Sequence, residues 1–200
     1  TFGNGTIDQV HSQTVRLVEQ LELVDLPVKK GAGQRGEKPT EAAHFLAKMA
    51  TTYPGEITLL ATGPLGNLWG AYQLDPDFFQ KLKGIACMGG YLRPVQIGRR
   101  KVAELNLSAD PEASHLVLNA DCPVTLMTAQ ICLQAPFRWR DLRALDFWSN
   151  QTRRYVRNWL ILHGLFCGIG YFYLWDLLPA LYITDPDLFS RNIIKLNSTI

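Results

Sequence analysis

Short apolar runs separated by capped helical patterns constrain this chain more than any other feature of its sequence. Residues 56–61 read as a buried strand that Gly63-Pro64 ends, and residues 65–74 then carry a helical pattern. Asp75-Pro76 sets a capping side chain and a first-turn proline ahead of a short helix over residues 77–82. Gly84 to Met88 is the next strand. Asp110-Pro111 repeats the cap signal for a helix over residues 112–119, and residues 123–127 form the strand after it. Strands joined through helices of this length need crossovers, so they pair in parallel and predict an α/β fold: a Rossmann-like, mostly parallel sheet flanked by helices. Ligands of such sheets sit beyond the carboxyl ends of the strands, where Thr62, the turn Met88-Gly89-Gly90 and Thr128 all fall.

Further along, residues 140–163 carry a longer helical pattern rich in Trp, Arg and Leu, and residues 176–182 open another. Residues 29–39, with their Gly and charged side chains, are the expected loop. With 200 residues, 47% of them hydrophobic and 19% charged, the chain can bury a real core, and one domain over residues 1–200 is expected. A net charge of +2 is too weak to point to nucleic acid or a membrane surface as partner. The most apolar region, residues 159–181, is interrupted by His163, Gly164, Gly168, Gly170, Asp176 and Pro179, so it reads as buried or pocket-lining rather than membrane-spanning. No Gly-x-Gly-x-x-Gly follows a strand, and Gly63-Pro64-Leu65-Gly66 has the wrong spacing for a dinucleotide loop. Cys87, Cys122, Cys132 and Cys167 form no Cys-x-x-Cys pair and lie in or beside apolar runs. Together with the lack of a visible secretory signal, they predict reduced, buried thiols in a cytoplasmic protein.

Chemistry concentrates in the run Ala103-Glu104-Leu105-Asn106-Leu107-Ser108-Ala109-Asp110-Pro111-Glu112-Ala113. In an extended segment residues i and i+2 point the same way, so Glu104 and Asn106 would present an acceptor and a donor-acceptor pair to one ligand face, suited to reading neighbouring hydroxyls. As an exposed strand end, the same pair would have no such role.

This run, with Met88-Gly89-Gly90 before it, resembles the inosine/uridine-preferring nucleoside hydrolases, whose Met-Gly-Gly turn precedes an Ala-Glu-Phe-Asn sequence and an Asp-Pro-Glu-Ala helix start. Here Leu105 takes the Phe position. Ala61-Thr62-Gly63-Pro64-Leu65-Gly66-Asn67-Leu68 is similar to the family's strand-to-helix loop, and Trp175-Asp176 stands where the family usually has His-Asp. These ordered matches cover most of the chain. The resemblance implies hydrolysis of the N-glycosidic bond of ribonucleosides to ribose and free base, in nucleoside salvage, with Ca²⁺ in the site and a metal-bound water as nucleophile. Thr62 corresponds to a metal-binding Thr and Asp176 to a metal-binding Asp. Glu104 and Asn106 match residues that read the ribose hydroxyls, and Asn4 is similar to an early family Asn near the metal.

Departures from the family are as informative. No Asp-x-Asp-x-Gly-x-Asp-Asp motif occurs in the chain, and Thr1 aligns with the end of the family's second strand, so about one strand-helix-strand unit is expected to be missing. The family's final elements, past Phe189, are expected to be missing too. The domain is therefore expected to be an incomplete one, inactive by itself. A full-length parent would be free to form a homo-oligomer. The alternative is a non-catalytic fragment or pseudoenzyme that binds a nucleoside or a protein partner. A family Asn six residues before the Glu falls on Gly98, whereas counting from the Gly-Gly turn points to Gln96 as the substitute. Trp175 replaces the family's proton-donating His, and an indole N–H is no general acid near neutral pH. His163 is then the candidate acid, with Trp159 one turn earlier on the same helix; Trp159 and Trp175 would stack on a purine if that helix faced the pocket. The competing expectation is that Trp159, His163 and Trp175 fill the core. For Asp176, it is that the carboxylate caps the helix that follows.

Overall fold

The structure, a computed structural model, describes residues 1–98, 100–145, 150–189 and 194. Helix α1 (Ile7–Gln20) starts from a capping box: the Thr6 hydroxyl accepts from the Gln9 N–H while the Gln9 side chain accepts from the Thr6 N–H. No regular element intervenes before α2 (Glu41–Thr52), so the expected loop over residues 29–39 is one. Then come β1 (Thr58–Ala61), α3 (Gly66–Leu74), a single 3₁₀ turn at Phe79–Lys81 and β2 (Gly84–Met88). A hairpin of β3 (Val95–Ile97) and β4 (Arg100–Val102) precedes α4 (Pro111–Leu118), β5 (Val124–Met127) and the one-turn α5 (Ala129–Cys132). The last part holds β6 (Pro136–Arg138), a 3₁₀ segment Trp139–Leu145, α6 (Asn150–Cys167), β7 (Tyr171–Tyr173), α7 (Leu177–Thr184) and a 3₁₀ turn at Pro186–Phe189.

Strands β1, β2 and β5 form one parallel sheet in that order, with Leu59 opposite Ile85 and Cys87 opposite Leu126. The parallel α/β expectation holds. Alternation along β2 sends Ile85 and Cys87 to one face, where they meet Leu65, Leu68 and Ala71 of α3, Ala113 and Val117 of α4, and Phe78 and Phe79. Met88 goes to the other face and packs with Met127 against Leu178 of α7 and Trp175. Burying a large side chain of this kind contributes about 1.5–3 kcal/mol, so the strand register is set by these two layers. Among the described residues β1 pairs only with β2, and Leu60 on its uncovered face stays half exposed. Asp110 is buried and caps α4, its Oδ1 accepting from the Ala113 N–H at 3.2 Å, as the Asp-Pro signal predicts.

Two differences from the sequence reading have physical causes. The pattern over residues 140–163 resolves into a 3₁₀ segment and α6, which begins at Asn150; residues 146–149 lie outside the described ones. The hairpin β3–β4 and the antiparallel pair β6–β7 have strands of three residues each, too short for an alternation signal. Cys87 and Cys132 are buried free thiols, and burial pushes both up to about 12. Cys122, half-buried, is pushed up to about 11 by burial and by Asp121.

Candidate functional site

At the carboxyl ends of the strands lies a cavity of about 180 Å³. Thr62, just past β1, Asn4 from the N-terminal segment and Asp176 from the start of α7 all line it. Val95 and Val102 of the hairpin, Leu105, Ala129 and Trp175 give it an apolar side, and Met88, Gly90, Tyr91, Glu104 and Asn106 complete the lining. Six residues singled out from the sequence, Asn4, Thr62, Glu104, Asn106, Trp175 and Asp176, thus meet in one place.

Glu104 does not sit in a strand. β4 ends at Val102, and residues 106–109 form a bend and turn closed by the Glu104 carboxylate itself. Oε1 accepts from the N–H groups of Gly90, Asn106 and Leu107 at 3.1, 3.0 and 3.0 Å, and Oε2 accepts from the Ser108 N–H at 2.5 Å. Burial works against ionisation, but the Ser108 hydroxyl and the Ser108, Leu107 and Gly90 N–H groups outweigh it and hold the carboxyl down at about 2. The expectation that Glu104 and Asn106 project side by side from an extended segment is therefore corrected: the carboxylate turns back onto the backbone. Asn106 donates through Nδ2 to the Met88 carbonyl at 2.9 Å and to Met88 Sδ at 3.2 Å. These contacts need glycine at 89 and 90. A Cβ on Gly89 would lie 2.8 Å from Leu107 Cγ, and Gly90 holds a φ of +67°.

Asp176 differs in every respect. It occupies the N-cap position of α7 yet makes no capping hydrogen bond, so the helix-cap alternative does not describe its carboxylate. Asp176 lines the cavity, and desolvation by the surrounding protein raises its pKa. A pocket offering the Asp176 carboxylate, the Thr62 carbonyl and the Asn4 amide presents hard oxygen donors and no thiol. That chemistry fits a cation such as Ca²⁺ in kind. It supplies one formal charge, and no group of three or more His, Cys, Asp or Glu gathers among the described residues.

Gln96, Trp159 and His163 are not brought to the cavity. Alternation along β3 buries Val95 and Ile97, so Gln96 points outward and its Nε2 donates to the Gly98 carbonyl at 3.1 Å. Gly98 itself, at a φ of +58°, serves the hairpin link. Helix α6 packs on β7, which sets Trp159 tilted against His163 at 5.4 Å between ring centroids and His163 tilted against Phe172 at 5.9 Å. Trp159 is 52% exposed, so it fills neither the pocket nor the core. The His163 Nδ1 is buried without a hydrogen-bond partner, and burial lowers the ring's pKa against an opposing pull from the Tyr171 backbone. No histidine lines the cavity among the described residues. Trp175 does line it, with its ring edge-on to Tyr173 at 5.4 Å. Sequence reasoning passed over Tyr91 and Ala129, although each lies within three residues of a strand's carboxyl end, the signal that marked Thr62.

A family model described as inosine-uridine preferring nucleoside hydrolase matches residues 1–199. Uridine nucleosidase 1 of Arabidopsis thaliana is 31% identical over 186 residues, which are 88% of this chain and 53% of that protein; the chain thus spans about half the length of that relative. Among solved structures, a plant nucleoside hydrolase superposes with a TM-score of 0.79 at 23% identity, covering 94% of this chain and 69% of the other, a likeness of fold. An inosine-uridine preferring nucleoside hydrolase from Bacillus anthracis gives a TM-score of 0.55 at 29% identity, covering 74% and 49%.

Proposed function

Because the chain belongs to the inosine-uridine preferring nucleoside hydrolase family, we propose that its cavity holds the ribose of a ribonucleoside while the N-glycosidic bond is hydrolysed to ribose and a free purine or pyrimidine base. One observation carries this reading: the oxygen-bearing residues Asn4, Thr62 and Asp176 and the apolar Val95, Val102, Leu105 and Trp175 line a single cavity. A nucleoside has the same division between a hydroxylated sugar and a flat, weakly polar base.

In this reading Asp176, the Thr62 carbonyl and Asn4 would hold Ca²⁺. When bound, the ion supplies a positive anchor for ribose hydroxyls and lowers the pKa of the attacking water. Asn106 keeps its amide oxygen as an acceptor for a sugar hydroxyl, since its side-chain contacts to Met88 use only the N–H₂ end. Glu104 contributes negative charge beside the ring as it becomes oxocarbenium-like, from a position its backbone contacts fix. His163 as proton donor finds no support in its placement on α6, and a purine preference built on paired stacking by Trp159 and Trp175 loses its first member. Buried thiols at Cys87 and Cys132 support a reducing, cytoplasmic setting, where nucleoside salvage would be the role.

Ca²⁺ takes about six to eight oxygen ligands, so one carboxylate and two neutral oxygens leave it mostly hydrated. We therefore expect the 200 residues on their own to bind Ca²⁺ weakly and to turn over negligibly. The deciding assay measures reducing sugar released from inosine and uridine by a longer protein containing this chain, with and without chelator. Release that stops on chelation and returns with Ca²⁺ is expected. Chelator-resistant release would remove the metal from the reading, and nucleoside binding without any release would favour the non-catalytic alternative.

A further inference from the structure

The segment 89–93 is clamped by hydrogen bonds at both ends. The Gly89 N–H donates to the Met127 carbonyl at 3.1 Å, the Gly90 N–H to Glu104 Oε1 at 3.1 Å, and the Gly90 carbonyl accepts from the Ala129 N–H at 3.0 Å. Gln130 closes the other end: its Oε1 accepts from the Leu92 N–H at 2.8 Å and its Nε2 donates to the Arg93 carbonyl at 2.9 Å. Fixing backbone costs about 1–2 kcal/mol per residue, normally offset by side chains the segment buries. Tyr91, midway between the clamps, lies outside the hydrophobic core. It is 39% exposed, joins none of the three buried clusters and stacks on no other aromatic ring among the described residues, yet it lines the cavity.

A large ring carried on a clamped segment at a pocket wall, outside the core clusters, is placed for a ligand. Resting on the reading of the cavity as a nucleoside site, we infer that Tyr91 forms an aromatic wall against which the base lies, and that Gln130 is the positioning residue that holds it there. Trp175 differs, because its ring also packs on Tyr173 and on the cluster around Met127 and Leu178. Its loss would disturb the fold, whereas loss of the Tyr91 ring would disturb the ligand.

Binding to the 200-residue chain is read by ligand-observed saturation-transfer NMR with inosine and, separately, D-ribose. For the wild type, transfer is expected to both the base and the sugar protons of inosine. Tyr91→Ala should weaken inosine binding by about tenfold, in the range of losing one base–aromatic stack, with D-ribose binding and the melting temperature unchanged. Tyr91→Phe should keep the wall and restore the base signals. Gln130→Leu should reproduce part of the Tyr91→Ala loss, and Gln130→Glu, which retains the acceptor for the Leu92 N–H, should recover most of it. Unchanged inosine binding in Tyr91→Ala, or equal losses of inosine and D-ribose, overturns the inference while leaving the nucleoside reading intact. No transfer to any inosine proton in the wild type would instead remove the nucleoside reading, and this inference with it.

Discussion

Two carboxylates line one cavity, and the protein treats them in opposite ways. Glu104 is tied to four backbone N–H groups and held down at about 2, whereas Asp176, with no capping bond, is pushed up by desolvation. A carboxylate has room for about four hydrogen bonds, so Glu104 is filled by its own chain and builds the wall. Asp176 is left with its capacity for whatever enters. Similar side chains at one site thus divide into one that shapes the pocket and one that is available to a ligand.

The strongest test of this contrast is Asp176→Asn in a protein with nucleoside hydrolase activity. Turnover should fall by at least about 10²-fold, the scale of losing a preorganised electrostatic group, while the melting temperature holds or rises because a desolvated charge is gone. Retained turnover with a lowered melting temperature would make Asp176 an ordinary helix-start residue. Glu104→Ala should show the reverse emphasis, orphaning the N–H groups of Gly90, Asn106, Leu107 and Ser108. Solvent access at the loop keeps the stability loss near about 2 kcal/mol, visible in urea denaturation. A loss confined to turnover, with stability untouched, would break the comparison.

Acid titration sharpens it. Glu104 has a folded pKa below its unfolded one, so its contribution to stability is complete above about pH 5 and disappears as the pH falls through about 4.5 towards about 2. Asp176 has a raised folded pKa, so its stabilising effect is present when it is protonated and is lost as the pH rises through that higher folded value. Denaturation curves at pH 5 and pH 3 should therefore converge in Glu104→Gln relative to wild type, and separate further in Asp176→Asn. The smallest effect concerns a carboxylate outside the cavity. Asp110→Ala should cost about 1 kcal/mol through loss of the α4 cap, with nucleoside binding unaffected.

Much of the framework was legible beforehand because it rests on local chemistry. The strand over residues 84–88, the Asp110-Pro111 helix start and the parallel pairing follow from apolar runs, caps and crossover length, and each recurs in the structure. Convergence of Thr62 and the Gly89-Gly90 turn at one end of the sheet also follows, since parallel strands share a carboxyl edge, whereas Asp176 follows no strand of that sheet and reaches the cavity only through the fold. What sequence could not reveal was direction. Whether the Glu104 carboxylate faced a ligand or its own backbone depended on a turn closing within 2.8 Å of where a Gly89 side chain would stand. Whether α6 carried Trp159 and His163 to the cavity depended on its packing against Phe172 of β7, a strand too short to read. A one-residue shift between Val95 and Gln96 decided which of them met the pocket. Periodicity and capping are properties of neighbours in the chain, so sequence carries them. The aim of a side chain is settled by contacts between segments far apart, such as Glu104 on Gly90 and Gln130 on Leu92, and these exist only once the chain has folded.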